Sequence, residues 1–335
     1  MPRPLNEQVV VITGASSGIG RATAIQFGSE GASVVLAARN QEALEEAARQ
    51  VEAAGGVALP VVTDVANWEE VKRLADLATN HFGRIDTWVN NAGIAEYATV
   101  DEMSIEEIQQ IINVNLMGTI YGTKAVLPHM KRQNGGTIIN VASALAKRSV
   151  ALQSAYCASK HGVKGFTEAL RLELEHDDIP IDLVLIMPSS INTPLFEHAR
   201  SKMGVQPMPI PPIYEPSAVA DTIVYVAQHP QRDVVVGGAG KLFTIMERIS
   251  PGLVDWYLLQ NDRGYKSQQT DRPADGRDNL FAPMDGTGRI RGDFGEHAKP
   301  SSLYTKYIEQ HPGRQRTLLA ALVALFVGLL ARSNE

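Results

Sequence analysis

Apolar runs of four to eight residues alternate with longer segments of helical period from Val9 to about Pro188. "VVVIT" (9–13) is uninterrupted and predicts a buried strand; the turn "GASSGIG" follows, then a helix from about Ile19 to Glu30. "ASVVLAAR" reads as a second strand, and "NQEALEEAARQVEAAGG" as a helix starting near Asn40 and stopping at Gly55. "VALPVVTDV" and "WEEVKRLADLATNHFG" repeat the pair, and "IDTWVNNAG" is a fourth strand running into a loop. A long helix is predicted from near Ser104 through "AVLPHM", then a strand at "GGTIINVAS", a helix at "SAYCASKHGVKGFTEALRLELE" and a sixth strand at "IDLVLIMPSS".

Strands alternating with helices imply βαβ units and a parallel sheet. The strands are continuous apolar runs, as burial on both faces demands. The expected fold class is therefore α/β: a Rossmann-like, doubly wound parallel sheet of about seven strands with helices on both faces. In such a sheet the ligand crevice lies at the carboxyl ends of the strands, so the loops after each strand line the site.

Beyond the sixth strand the pattern loosens. "NTPLFEHARSKMGVQPMPIPPIYEP" is long and proline-rich, open to two readings: a mobile lid over a pocket or a passive connection. A helix near Ser217–Gln228 and a seventh strand "DVVVGG" follow; "KLFTIMERISPGLVDWYLLQ" is helical with a break at Pro251. Residues 261–313 are rich in Gly, Asp, Arg and Pro with little periodicity, as in an extended arm or linker. The expected organisation is an α/β domain over 1–245, a helix and arm over 246–313, and a short hydrophobic segment over 314–335.

That last segment changes the picture. "TLLAALVALFVGLLA" carries no charge from Thr317 to Ala331, with Arg314 and Arg316 before it and Arg332 after it. As a helix it would span roughly 22 Å against a hydrocarbon core of about 30 Å. Snorkelling arginines and local thinning cover such a gap, so a membrane anchor is expected, with the α/β domain on the cytoplasmic side. The bland alternative is a helix buried in protein.

Composition adds less. The chain has 335 residues, is 44% hydrophobic and 20% charged, and carries a net charge of −6, which does not point to a nucleic-acid partner. Its single cysteine, Cys157, excludes an intramolecular disulfide. "MPRPLNEQ" lacks the apolar run of a secretory signal, so export by that route is not expected. The histidines at 81, 129, 161 and 176 show no metal-ligand spacing, and no metal is expected.

Two short stretches carry the chemistry. In "TGASSGIG", Gly14 suits a sharp turn out of the strand, Gly18 lets the backbone approach a diphosphate, and Gly20 lets the helix pack closely on the sheet. The helix start adds free N–H groups and partial positive charge. The spacing is G-x-x-x-G-x-G rather than the dinucleotide fingerprint G-x-G-x-x-G. In "YCASK", Tyr156 and Lys160 lie four residues apart, one above the other on a helix face. A free phenol has a pKa of about 10, and a neighbouring ammonium brings that value down. The pair is expected to make a usable proton donor and acceptor.

With "TGASSGIG", "DV" at 64–65, "NNAG" at 90–93, Asn115, Ser143 and "YCASK" in this order, the chain resembles the short-chain dehydrogenase/reductase family over roughly residues 5–245. The resemblance implies catalytic roles for Asn115, Ser143, Tyr156 and Lys160, with Ser143 and Tyr156 meeting the substrate oxygen. Lys160 would also bond the nicotinamide ribose, and Asn115 would bend its helix and hold a water. It further implies a cofactor site built from Gly14, Ser16, Ser17, Gly18, Ile19 and Gly20, with Asp64 and Val65 at the adenine and Asn91, Ala92 and Gly93 along the ribose. Pro188, Ile191 and Thr193 would flank the nicotinamide; Ser189 stands where the family usually has glycine. Ala38 occupies the place of the Asp typical of NAD-preferring members, and Arg39 suits a 2′-phosphate, so NADP(H) is expected rather than NAD(H). Ser17 stands at the family's second basic position.

The expected activity is NADP(H)-dependent interconversion of a carbonyl and a secondary alcohol, on a lipophilic substrate if the anchor is real. The pocket wall would come from 94–99, 145–152 and 190–213. The alternative is a non-catalytic, membrane-tethered dinucleotide-binding or redox-sensing module. By family habit the core would form a homodimer or homotetramer.

Overall fold

The computed structural model describes residues 2–311 and residue 313. Seven strands form one sheet: β1 (Val9–Thr13), β2 (Ser33–Ala38), β3 (Val57–Val62), β4 (Thr87–Asn90), β5 (Gly136–Val141), β6 (Ile181–Pro188) and β7 (Asp233–Val236). Their order is β7-β6-β5-β4-β1-β2-β3, and every neighbouring pair is parallel. The order reverses between β1 and β4, which opens a crevice at their carboxyl ends. The α/β fold read from the sequence is present.

One apolar cluster lies on each face of the sheet. Phe27, Val34, Leu36, Leu44 and Ile223 belong to one; Val35, Leu74, Trp88, Ile111 and Ile138 belong to the other. Each such side chain contributes about 1.5–3 kcal/mol on burial. β3 departs from the expectation of burial on both faces: Val57 and Val62 stay 52% and 44% exposed. It is an edge strand, and Pro60 in its middle, which cannot donate to a ladder, suits only an edge.

The helices start where side chains can cap them. Asn40 accepts from the amide of Ala43, and Asn67 accepts from Glu69 and Glu70. Ser104 and Glu107 form a reciprocal capping box. The single long helix expected from Ser104 is instead two α-helices, Ile105–Ile112 and Gly118–Arg132, joined by a π turn at Asn113–Met117. Such bulges break the i to i−4 ladder and cluster at functional sites. Behind the site, a buried polar ladder ties strands to helices. Asn90 donates to Thr123 and Asn140 at 3.0 and 2.8 Å, and Asn140 donates to Thr167 at 2.9 Å.

Residues 190–213 are tied down at several points. Arg200–Ser201 pairs with Glu96–Tyr97, Val205–Pro207 with Gln269–Pro273, and Ile213–Tyr214 sits between Ser190–Ile191 and Ala298–Lys299. The described residues of 261–313 have little regular structure, yet they pack on the core. Leu280 is fully buried, and Glu309 accepts from the β7 amide of Val235 at 3.1 Å. Among the described residues no helix is long and apolar enough to cross a membrane. The apolar run 317–331, where an anchor was expected, lies outside the described residues.

Candidate active site

A cavity of about 910 Å³ opens over the carboxyl ends of the strands. At its base is the turn between β1 and the helix Gly18–Ser29. Gly14 and Gly18 hold φ of +68° and +54°, values that side-chain-bearing residues rarely adopt. A Cβ on Gly20 would lie 2.2 Å from the Gly14 carbonyl oxygen, so only glycine allows this closeness. The turn is braced from β4. Asn91 donates its side-chain amide to the carbonyls of Thr13 and Gly14 at 3.0 and 3.3 Å, and the hydroxyl of Thr13 accepts from the amides of Asn91 and Ala92.

At the far end of this floor lies Arg39, just past β2. One of its terminal nitrogens donates to the carbonyl of Asn279 at 2.7 Å; the other is buried with no partner among the described residues. Burial lowers its pKa, opposed by the charge of Asp64. A glycine cradle at a helix start and an orphaned buried guanidinium donor fit a phosphate-bearing dinucleotide, although the Gly18 amide is taken by the carbonyl of Arg289 in this structure.

The reactive end is built by β5 and the helix Ser154–His176. Ser143 follows β5 with an extended backbone, and its hydroxyl oxygen accepts from the amide of Leu145 at 3.1 Å. Its side chain pulls the pKa of the Tyr156 phenol down; burial is the larger effect and pushes it up. Lys160 is 3% exposed, donates to the carbonyl of Val141 at 3.0 Å, and has a pKa lowered to about 8 by burial. The expectation that the ammonium lowers the phenol pKa is not met in the chain alone: burial dominates Tyr156, and the lysine lies 5.6 Å from its ring centre. Tyr97, fully buried beside it, is also pushed up, by burial first and then by Tyr156.

Asn115 lies wholly buried in the π turn and does not line the cavity. Its side chain accepts from the amide of Ile94 at 2.9 Å and donates to the Ile94 carbonyl at 3.0 Å and to the Ser159 hydroxyl at 3.1 Å. It therefore fixes the loop following Gly93 against the helix that carries Tyr156 and Lys160.

Of the residues named from sequence, Gly14, Ser16, Ser17, Gly18, Ile19, Arg39, Asp64, Val65, Asn91, Ala92, Gly93, Ser143, Tyr156, Lys160, Pro188, Ile191 and Thr193 all line this one cavity. Gly20 lies behind the turn. The three stretches expected to supply the pocket wall reach the cavity through Ile94, Leu145, Val150, Phe196 and Met208, among others. Residues missed by the sequence reading are Phe243, Tyr257 and Leu258 from the helices at Gly238–Ile249 and Pro251–Leu259, and the arm segment around 279–289. The only signal for the arm was its isolated apolar residues, such as Leu280 and Phe294, within an otherwise polar stretch.

A family model described as short chain dehydrogenase matches residues 8–204. The chain is 38% identical over 325 residues to an uncharacterized oxidoreductase, YxnA, of Bacillus subtilis, covering 96% of this chain and 90% of that protein. It is 36% identical to a 3-oxoacyl-[acyl-carrier-protein] reductase of Synechocystis, covering 70% of this chain and 94% of the relative. Among solved structures, levodione reductase superposes with a TM-score of 0.63 at 28% identity, covering 70% of this chain and 98% of its own.

Proposed function

This chain belongs to the short-chain dehydrogenase/reductase family, and we propose that it is an NADP(H)-dependent oxidoreductase interconverting a carbonyl and a secondary alcohol on an apolar substrate. The observation that carries the proposal is the convergence of Ser143, Tyr156 and Lys160 in the same cavity as the glycine turn and Arg39. A pure dinucleotide binder has no need of the first two groups. Two relatives are named as reductases, one of a 3-oxoacyl group and one of levodione.

Bound reduced dinucleotide supplies the hydride. Ser143 and Tyr156, which line the same cavity, present two hydroxyl donors to one substrate oxygen. As charge grows on that oxygen, the Tyr156 hydroxyl gives up its proton while Ser143 keeps its hydrogen bond. Burial keeps the phenol protonated in the resting chain and makes it the weaker acid, so proton loss needs a charge that favours the phenolate. We assign to Lys160, a buried cation on the next helical turn 5.6 Å from the Tyr156 ring centre, the role of favouring that phenolate in the loaded site, since it exerts no resolved pull on Tyr156 in the chain alone.

Tyr97, Phe196, Met208, Phe243 and Leu258 give the pocket an apolar wall and support a lipophilic substrate. The uncharged run 317–331 supports attachment to a membrane, where such substrates partition. The test is Tyr156→Phe with a panel of ketones and NADPH. Turnover is expected to fall by about 10² to 10⁴ with NADPH binding retained. Near wild-type turnover in that variant would sink the assignment.

A further inference from the structure

We propose that residues 279–289 are a strap forming the outer wall of the dinucleotide site, that Asn279 is one of its contact residues, and that cofactor enters and leaves only when the strap lifts. This rests on the dinucleotide reading above. The strap's main chain is bonded to the same elements that would hold the adenosine diphosphate half. Gly18 donates its amide to the carbonyl of Arg289 at 3.0 Å, and Arg21 donates to that of Thr287 at 2.6 Å. The side-chain amide of Asn40 donates to the carbonyls of Met284 and Gly286. Arg39 is held on the carbonyl of Asn279.

Both ends of the strap are anchored. Leu280 is fully buried in the core cluster that includes Val65 and Ile111, and Gln110 donates to its carbonyl at 3.0 Å. Beyond the other end, Asp293 donates its amide to Glu197 at 2.7 Å and Phe294 donates its amide to Asn192 at 3.0 Å. Arg289 pairs with Glu197 and Asp293. The fit over the turn is close: Gly288 sits at φ +67°, and a Cβ there would lie 2.5 Å from the carbonyl oxygen of Ser16.

Two buried atoms in this wall lack partners among the described residues: a terminal nitrogen of Arg39 and the side-chain oxygen of Asn279. One is a donor and the other an acceptor, and both residues line the cavity. A ligand carrying phosphate oxygens and an amine, as an adenine nucleotide does, satisfies both. The strap thus lies directly on the glycine turn, while Arg39 and Asn279 keep polar atoms for a ligand in the adjoining cavity.

The experiment follows release of NADPH from the full chain by its fluorescence after a chase with excess NADP+, in wild type, Gly288→Val and Asn279→Ala. It is paired with hydrogen–deuterium exchange of the wild type with and without NADPH. The strap predicts release about tenfold faster in both variants, and amides of 279–289 that gain protection when NADPH binds. NADPH that binds, leaves wild type and both variants at one rate, and adds no protection to 279–289 overturns the strap while leaving the dinucleotide reading intact. No binding of NADPH or NADH by the wild type overturns both. If Gly288→Val does not fold, Asn279→Ala and the exchange measurement decide.

Discussion

The Nζ of Lys160 stands 5.6 Å from the centre of the Tyr156 ring and donates to the carbonyl of Val141 at 3.0 Å. The group is almost wholly buried, and burial alone brings its pKa from 10.5 to about 8. Between pH 8 and 10.5 the unfolded chain therefore binds more protons at this lysine than the folded chain does. Stability from this group then rises with pH across that window, and the cost of the buried charge is fully present below it. Lys160→Met removes that cost, roughly 3 kcal/mol, and gives back about 1 kcal/mol for the donor lost at Val141. The variant is expected to melt above wild type at pH 7, with the difference shrinking by pH 10, and to lose turnover. Melting curves at the two pH values check it; a variant less stable than wild type at pH 7 contradicts the reading.

Gly20→Ala places a methyl 2.2 Å from the Gly14 carbonyl oxygen and 2.6 Å from the Asn91 side-chain nitrogen. Neither atom yields freely, since that nitrogen is bonded to both Thr13 and Gly14. The turn must open, at a cost of about 1–3 kcal/mol. NADPH titration and thermal melting should show weaker binding together with a lower midpoint. Unchanged affinity would mean that the turn does not hold the diphosphate.

Asn115→Ala removes the acceptor for the Ile94 amide and the donor to its carbonyl, leaving buried backbone groups unpaired. The expected loss is about 2–4 kcal/mol, from two orphaned groups at 1–3 kcal/mol each less relaxation. Asn115→Asp keeps an acceptor for the Ile94 amide but buries a carboxylate against the Ile94 carbonyl, so chemical denaturation at pH 7 should place it no higher than alanine. A fall in turnover steeper than the fall in stability would mark misplacement of Tyr156 and Lys160, which ride on the helix that Asn115 contacts through Ser159.

The central sheet was readable because its strands are buried runs whose register repeats from residue to residue. β1 was expected at 9–13 and is found there. Helix starts were readable where a side chain caps them, as at Asn40. The π turn at Asn113–Met117 left no periodic trace, because five residues of altered winding barely shift the pattern of apolar positions. The arm was opaque for a different reason. Leu280 and Phe294 anchor it singly, and its contacts with the glycine turn are made by carbonyl groups, which every residue has. The cavity-lining residues named from sequence came together because parallel strands deliver their loops to one edge. The outer wall could not be read, since it is supplied by a distant, aperiodic segment.

Arg39 bears on the choice between the two nicotinamide dinucleotides. Ala38 ends β2 without a carboxylate, so nothing there is suited to take both hydroxyls of an unphosphorylated ribose. Arg39 is oriented by the Asn279 carbonyl at 2.7 Å and keeps a buried nitrogen free of partners among the described residues. Its partial desolvation, which lowers its pKa, strengthens any bond it makes to a phosphate. Charge-assisted bonds contribute about 1.5–3 kcal/mol, so Arg39→Ala should weaken NADPH binding by roughly 10- to 100-fold and leave NADH binding nearly unchanged. Titration of both cofactors against both proteins decides the matter. Equal affinity of wild type for NADH and NADPH, or an equal loss of both in the variant, would remove Arg39 from cofactor choice.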